Sequence, residues 1–308
     1  MSRLTRLAAL CVICCSAAHA EGGNSNQCGD EGVWVQILGA GAGELNNDQA
    51  GPSYLIWSDD RAVLMVNTGS GAAAQFAKSG AKISDLDAIA YNDISPARSA
   101  ALPFFIDASA GEGRDRPLTV LGPTGNEGYP SAKTFVERLI GPSGAFDSLS
   151  DFLTYKSRGG YKISVREVPS TGQRRWARYG SQNFRLSAIP VSNGAVPSVA
   201  WRVEIGDYAV VFSGSFSNEK DVVAKFAEGA DALVVPHAVH EGVRGGLKDR
   251  YVLPSKIGEI ATRAEARMLI LGHRSNRTRG RETQSTEAIR EHFGGPLIFA
   301  NDLECWGL

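Results

Sequence analysis

The order of the strand-like runs constrains this chain most. Eleven short segments rich in Val, Ile and Leu recur along it: "VWVQIL" (33–38), "SYLIW" (53–57), "AVLMV" (62–66), "LTVLG" (118–122), "YKISVREV" (161–168), "FRLSAIPV" (184–191), "VAWRVEI" (199–205), "YAVVFSG" (208–214), "ALVVP" (232–236), "MLILG" (268–272) and "PLIFA" (296–300). Their length and β-branched content predict strands. They begin as a close-set meander, then mix with helical patterns, and the whole progression occurs twice. A doubly wound sheet would alternate strand and helix throughout. The order therefore predicts an α/β chain with two mixed β-sheets packed face to face and helices outside, a four-layer αββα sandwich.

The helical patterns lie at 72–80, 131–141, 218–230, 254–266 and 285–295. The first ends on Gly80, a residue suited to the left-handed C-terminal turn. The second starts after Ser131, whose hydroxyl suits an N-cap. "ILGAGAG" (37–43) has closely spaced glycines, but "ELNNDQAGPS" follows with no helical pattern. A dinucleotide fingerprint needs a helix N-terminus there, so this is a glycine-rich turn.

The N-terminus has the form of a secretory leader: Arg3 and Arg6, an apolar core from Leu7 to Cys15, and Ala18-His19-Ala20 as a cleavage site. The core is too short to span a membrane, and no later stretch is long and apolar enough. The expected mature protein is a single domain over 21–308, secreted or periplasmic. Its length allows one large domain or two small ones, but 43% hydrophobic content and the absence of a linker favour one. Removing Arg3 and Arg6 from the 32 basic residues leaves 30 against 33 acidic, a net charge of −3. That balance opposes general nucleic-acid binding. "GQRRWARYG" (172–180) accordingly reads as a solvated loop or hairpin. Cleavage also removes three of the five Cys and leaves Cys28 and Cys305. In an oxidising compartment a disulfide between them is expected, the alternative being two unpaired thiols.

"LDAIAYNDISPARSAALPFFI" (86–106) sets an apolar run against a polar turn and then a helix-permissive stretch, with the helix starting near Pro96. Such strand-to-helix turns often carry chemistry. This one has a carboxylate (Asp93), Ser95 and Arg98, but neither His nor Cys.

Taken in order, "VQILGAGAG", "AVLMVNTGSG", "DAIAYNDISPARSAALP", "LTVLGPTG", "VSNGAVPSVAWRVE", "VVFSGS", "ADALVVPHAVHEG" and "LGHRSNRTRGRE" resemble the metallo-β-lactamase fold in its ribonuclease-Z-like branch, and in particular its secreted bacterial members. The likeness runs from about Val33 to Asp302. In that family two zinc ions hold a hydroxide that attacks phosphodiester, ester, lactone or amide bonds. They sit on a His-x-His-x-Asp-His turn, a further His, a bridging Asp and a last His. Carried onto this sequence, the resemblance puts Asp93 and Ser95 at the first two His, Ala97 at the Asp and Arg98 at the last His of the turn. Asn193 falls at the next His, Ser215 at the bridging Asp and Asn67 at a further Asp near the site. Only His273 keeps a ligand type.

The mature chain has only four His: His237, His240, His273 and His292. The resemblance implies a supporting role for His237, and His292 belongs to a helix. The implied protein is a non-catalytic pseudoenzyme that needs no cofactor. Its pocket of Asp93, Ser95, Arg98, Asn193, Ser215, His237 and His273 either takes a small, anionic ligand or closes as an Asp93–Arg98 ion pair. The competing reading is a hydrolase of phosphodiester, ester or lactone bonds. It would use a residual metal on His237, His240, Glu241 and His273, or a metal-free site with His273 as base and Arg98 as oxyanion partner.

Overall fold

The computed structural model describes residues 28–154 and 160–308. The leader assigned to residues 1–20 lies outside the described residues. Strands β1 (Val33–Gly39), β2 (Ser53–Ser58) and β3 (Arg61–Val66) form an antiparallel meander. Strands β4 (Ala88–Ala90), β5 (Leu118–Pro123) and β6 (Ile163–Val168) extend it in parallel. The second sheet repeats this plan. Strands β7 (Trp176–Gly180), β8 (Arg185–Val191), β9 (Ser198–Ile205) and β10 (Tyr208–Phe212) are antiparallel. Parallel β11 (Ala232–Pro236), β12 (Met268–Gly272) and β13 (Leu297–Phe299) follow. The last strand, β14 (Cys305–Gly307), returns to the first sheet and pairs antiparallel with β1, giving seven strands in each sheet.

Helices α1 (Ala72–Ser79), α2 (Pro96–Ser99), α3 (Leu102–Ala108) and α4 (Ala132–Ile140) belong to the first half. Helices α5 (Val223–Phe226), α6 (Pro254–Arg263) and α7 (Glu282–Arg290) belong to the second. Alternate residues of each strand face opposite ways, and this sorts the core into three layers. Tyr54, Ile56, Trp201, Phe212 and Ile270 meet between the sheets. Leu55, Trp57, Phe76, Phe105 and Val136 pack under the first set of helices. Leu233, Leu269, Leu271, Ile257 and Ile289 pack under the second. The four-layer αββα sandwich read from the sequence is the observed architecture.

Helix signals hold where local chemistry dictates them. Gly80 closes α1 with φ 75°, and the Ser131 hydroxyl accepts from the Thr134 backbone N–H at 3.2 Å. The helix expected over 218–230 shrinks to the four residues of α5. Asn218 and Asp221 sit at φ 63° and 47°, a left-handed backbone that a helix cannot contain. The segment 172–180 supplies β7, the edge of the second sheet, where Arg175 pairs with Glu204 at 3.2 Å. The glycine-rich turn after β1 serves close backbone packing. A Cβ on Gly39 would fall on the carbonyl of Gly51. Cys28 and Cys305 are joined by a disulfide. Among the described residues no helix is long and apolar enough to cross a membrane.

Candidate functional site

Parallel strands deliver their C-terminal ends to one rim of a sandwich, and here the polar residues gather there. Strand β4 ends at Ala90, and the buried Asn92 follows. Asn92 and Asn67 exchange two hydrogen bonds: the Asn67 amide donates to Asn92 Oδ1, and the Asn92 backbone N–H donates to Asn67 Oδ1, each at 3.0 Å. The Asn92 amide then reaches across to the second sheet, donating to the carbonyls of Val199 (2.9 Å) and Phe212 (3.1 Å). Gly214, at φ 63°, leaves room for it, since a Cβ there would lie 2.9 Å from Asn92 Cβ.

The turn continues into a buried cluster around Arg98, which is only 3% exposed. Its Nη1 donates to Asp93 Oδ2 at 2.8 Å. Its Nη2 donates to Ser215 Oγ at 2.8 Å and faces His273 Nδ1 at 3.3 Å. A guanidinium has no acceptor, so Nδ1 of His273 must accept, and the ring is neutral with its proton on Nε2. Burial, and then the charges of Arg98 and Arg250, push His273 well below the usual histidine value. Its backbone lies at φ 46°. The adjoining loop holds it there, with the Arg274 N–H donating to Ala40 O at 2.6 Å and the Ser275 N–H to His237 O at 3.2 Å.

The other expected pocket residues find different partners. Ser95 precedes α2. Its backbone N–H donates to Asp93 Oδ1 at 3.1 Å, and its buried hydroxyl has no partner among the described residues. Asn193 donates to Ser198 Oγ at 2.9 Å and accepts from Arg250 Nε at 3.3 Å. His237 is fully buried, with Nε2 2.8 Å from Ser285 Oγ. Glu241 accepts from the Ser255 backbone and hydroxyl at 2.9 and 2.6 Å, at the start of α6. Among the described residues no three His, Cys, Asp or Glu side chains are grouped to hold a metal ion. The set His237, His240, Glu241 and His273 is therefore not assembled as a metal site. The space beside Arg98, Tyr54, Asn92 and His273 is about 10 Å³, room for at most one water molecule. Sequence reading missed Asn92, Ser198, Arg250 and Ser285, because each acts through a partner far along the chain or without a motif.

The geometry also fixes a pH response. Burial, and then the charge of Arg274, push His237 down to about 4 from an ordinary 6.5. His273 moves the same way. Below pH 6.5 the unfolded chain takes up protons that these folded rings refuse, so stability is full above about pH 6.5 and drains as the pH falls toward 4. His237 alone accounts for roughly 3 kcal/mol across that window. Urea midpoints measured at pH 7.5 and pH 5 should fall accordingly, and His237→Gln should reduce the difference. An unchanged difference in that variant would show that His237 does not drive it.

Several solved structures share the fold of this chain. YhfI from Bacillus subtilis, a metallo-β-lactamase fold protein, superimposes with a TM-score of 0.67 at 19% identity, covering 89% of this chain and 98% of its own. Human tRNase Z, short form, gives 0.69 at 16%, covering 89% and 98%. Zinc-bound PqqB from Methylobacterium extorquens gives 0.60 at 14%, covering 89% and 100%. This chain has the metallo-β-lactamase fold. Neither a protein-family model nor a curated protein matches the sequence. On the metallo-β-lactamase fold, the Arg98 cluster stands at the C-terminal end of β4 and beside the loop after β12.

Proposed function

We propose that this is a secreted, single-domain pseudoenzyme, in which an internal ion pair has taken over the position of a dinuclear metal centre and the protein acts by binding. The observation that carries this reading is the single guanidinium of Arg98, buried and engaged with Asp93, Ser215 and His273 at once. Zinc does not fit this donor set. Its two ligand-type side chains, Asp93 and His273, both spend oxygen or nitrogen lone pairs on Arg98. A dication about 4 Å from the guanidinium would be repelled by on the order of 8 kcal/mol at an effective dielectric of 20.

Metal-free hydrolysis is equally poorly served. A serine nucleophile needs a base within hydrogen-bond reach, and the Ser215 hydroxyl is bonded to Arg98 instead. The lone pair that His273 would use as a base already accepts from the same guanidinium. The anion anticipated here meets the Asp93 carboxylate in its place. A disulfide suits export, since such bonds persist in oxidising compartments.

The test is elemental analysis and melting of the purified mature protein with and without EDTA, beside a panel of phosphodiester, ester and lactone substrates. The expected result is less than stoichiometric zinc, an unchanged Tm and no turnover. Stoichiometric zinc with a large loss of Tm on chelation, or turnover that EDTA abolishes, would overturn the proposal.

A further inference from the structure

A second polar cavity lies at the opposite end of the sandwich, where β3, β4 and β5 begin and the β7–β8 turn comes over from the other sheet. Its volume is about 450 Å³, within the range of roughly 300–1,000 Å³ usual for small-molecule sites. Asp87, only 6% exposed, anchors it. One carboxylate oxygen of Asp87 accepts from Arg116, and the other accepts from the Asn183 amide at 2.7 Å. Arg116 also donates to the Ser84 and Asp85 carbonyls at 3.2 and 2.6 Å. The Tyr179 hydroxyl donates to the Asp87 carbonyl at 3.2 Å. Burial pushes the Asp87 carboxyl up, but the bonds from Arg116, Ser181 and Asn183 outweigh it and hold it below the usual carboxylate range. The anchor is thus a fixed ion pair whose charges cancel.

Two further charges border the same cavity. Arg61 begins β3 and Asp85 precedes β4. Neither side chain makes a hydrogen bond or ion pair with another described residue. Among the described residues, the cavity therefore offers one unpaired cation and one unpaired anion around a neutral anchor. A simple anion drawn to Arg61 would meet Asp85, and a simple cation drawn to Asp85 would meet Arg61. A small molecule carrying both charges satisfies each.

We infer that this cavity binds a small zwitterion of the amino-acid class, its carboxylate on Arg61 and its ammonium on Asp85. The hydroxyls and amides of Ser84, Ser181 and Gln182 stand nearby for a polar substituent. The site is independent of the Arg98 cluster and of what that cluster does.

The test is calorimetric titration of the mature protein with the free L-amino acids, using propionate and propylammonium as single-charge controls. At least one amino acid should bind at least about tenfold more tightly than either control. Arg61→Ala and Asp85→Asn should each weaken it by about 10- to 100-fold, the loss of one charged hydrogen bond. Arg61 is exposed and Asp85 half-buried, and neither side chain bonds another described residue, so Tm should hold within about 2 °C in both variants. Arg61→Glu, at an exposed strand end, gives a separate reading if Asp85→Asn proves destabilising. No binding by any amino acid, equal binding by the single-charge controls, or binding unchanged in Arg61→Ala and Arg61→Glu would overturn the inference.

Discussion

Arg98→Ala should lower the unfolding free energy by about 3–5 kcal/mol, because it leaves the Asp93 carboxylate buried without its counter-charge. Asp93 is 1% exposed and cannot turn to solvent. On a chain of this size the loss corresponds to a Tm drop on the order of 10 °C. Asp93→Ala should also destabilise, since it strands the guanidinium. The double variant Asp93→Ala, Arg98→Met removes both charges together and should lose less than the sum of the two single changes. A coupling of roughly 1–3 kcal/mol in the double-mutant cycle is expected for a contacting pair. His273 supplies a readout that general destabilisation does not move. Burial, and then the charge of Arg98 on its Nδ1 side, depress its protonation, so in Arg98→Ala the imidazole should titrate part of the way back toward the ordinary histidine value, as followed by NMR. Independent, additive losses with an unmoved His273 would show that the cluster does not work as a unit.

That cluster was only partly legible in the sequence. The strand runs were readable because Val, Ile and Leu alternate between two buried faces: Ile56 points into the space between the sheets and Leu55 points under the helices. Strand β4 has only three residues, too few to show a period, and β7 has an exposed, charged face that reads as loop. Of the partners of Arg98, Asp93 is five residues away, but Ser215 and His273 are 117 and 175 away. Composition cannot bring such positions together. The resemblance could, because it orders turns along a known chain path. Asn92 escaped even so. Its bonds to Val199 and Phe212 span 107 and 120 residues, and an Asn in a turn is ordinarily explained by the turn alone. The same locality explains the error at 218–230, where apolar spacing suggested a long helix and two positive-φ residues broke it.

Reducing the Cys28–Cys305 bond should have the other large effect. It closes a loop of 277 residues in sequence separation, and the chain-entropy model gives such a loop up to about 5 kcal/mol, a Tm loss on the order of 10 °C. The bond also has a local role. Strand β14 has three residues and lies at the edge of the first sheet, where it pairs with Trp34, Val35 and Gln36 of β1. An edge strand this short depends on neighbouring anchors. Just before it, the Leu303 N–H donates to Ile37 O at 2.6 Å, and Asp302 accepts from the Ala40 and Ala50 N–H groups at 2.9 and 2.8 Å. Ala40 O in turn accepts from the Arg274 N–H beside His273. Loosening the C-terminus should therefore spread from β14 through the glycine-rich turn to the His273 loop. Hydrogen exchange on the reduced protein should lose protection at Trp34–Gln36 first, and next at Ala40 and Arg274, while β11 and β12 stay protected. The double variant Cys28→Ser, Cys305→Ser should reproduce both the melting loss and this order without reductant. A reduced protein that melts within about 2 °C of the oxidised one, less than 1 kcal/mol on this scale, would mean that β14 and its anchors hold the terminus without the covalent bond.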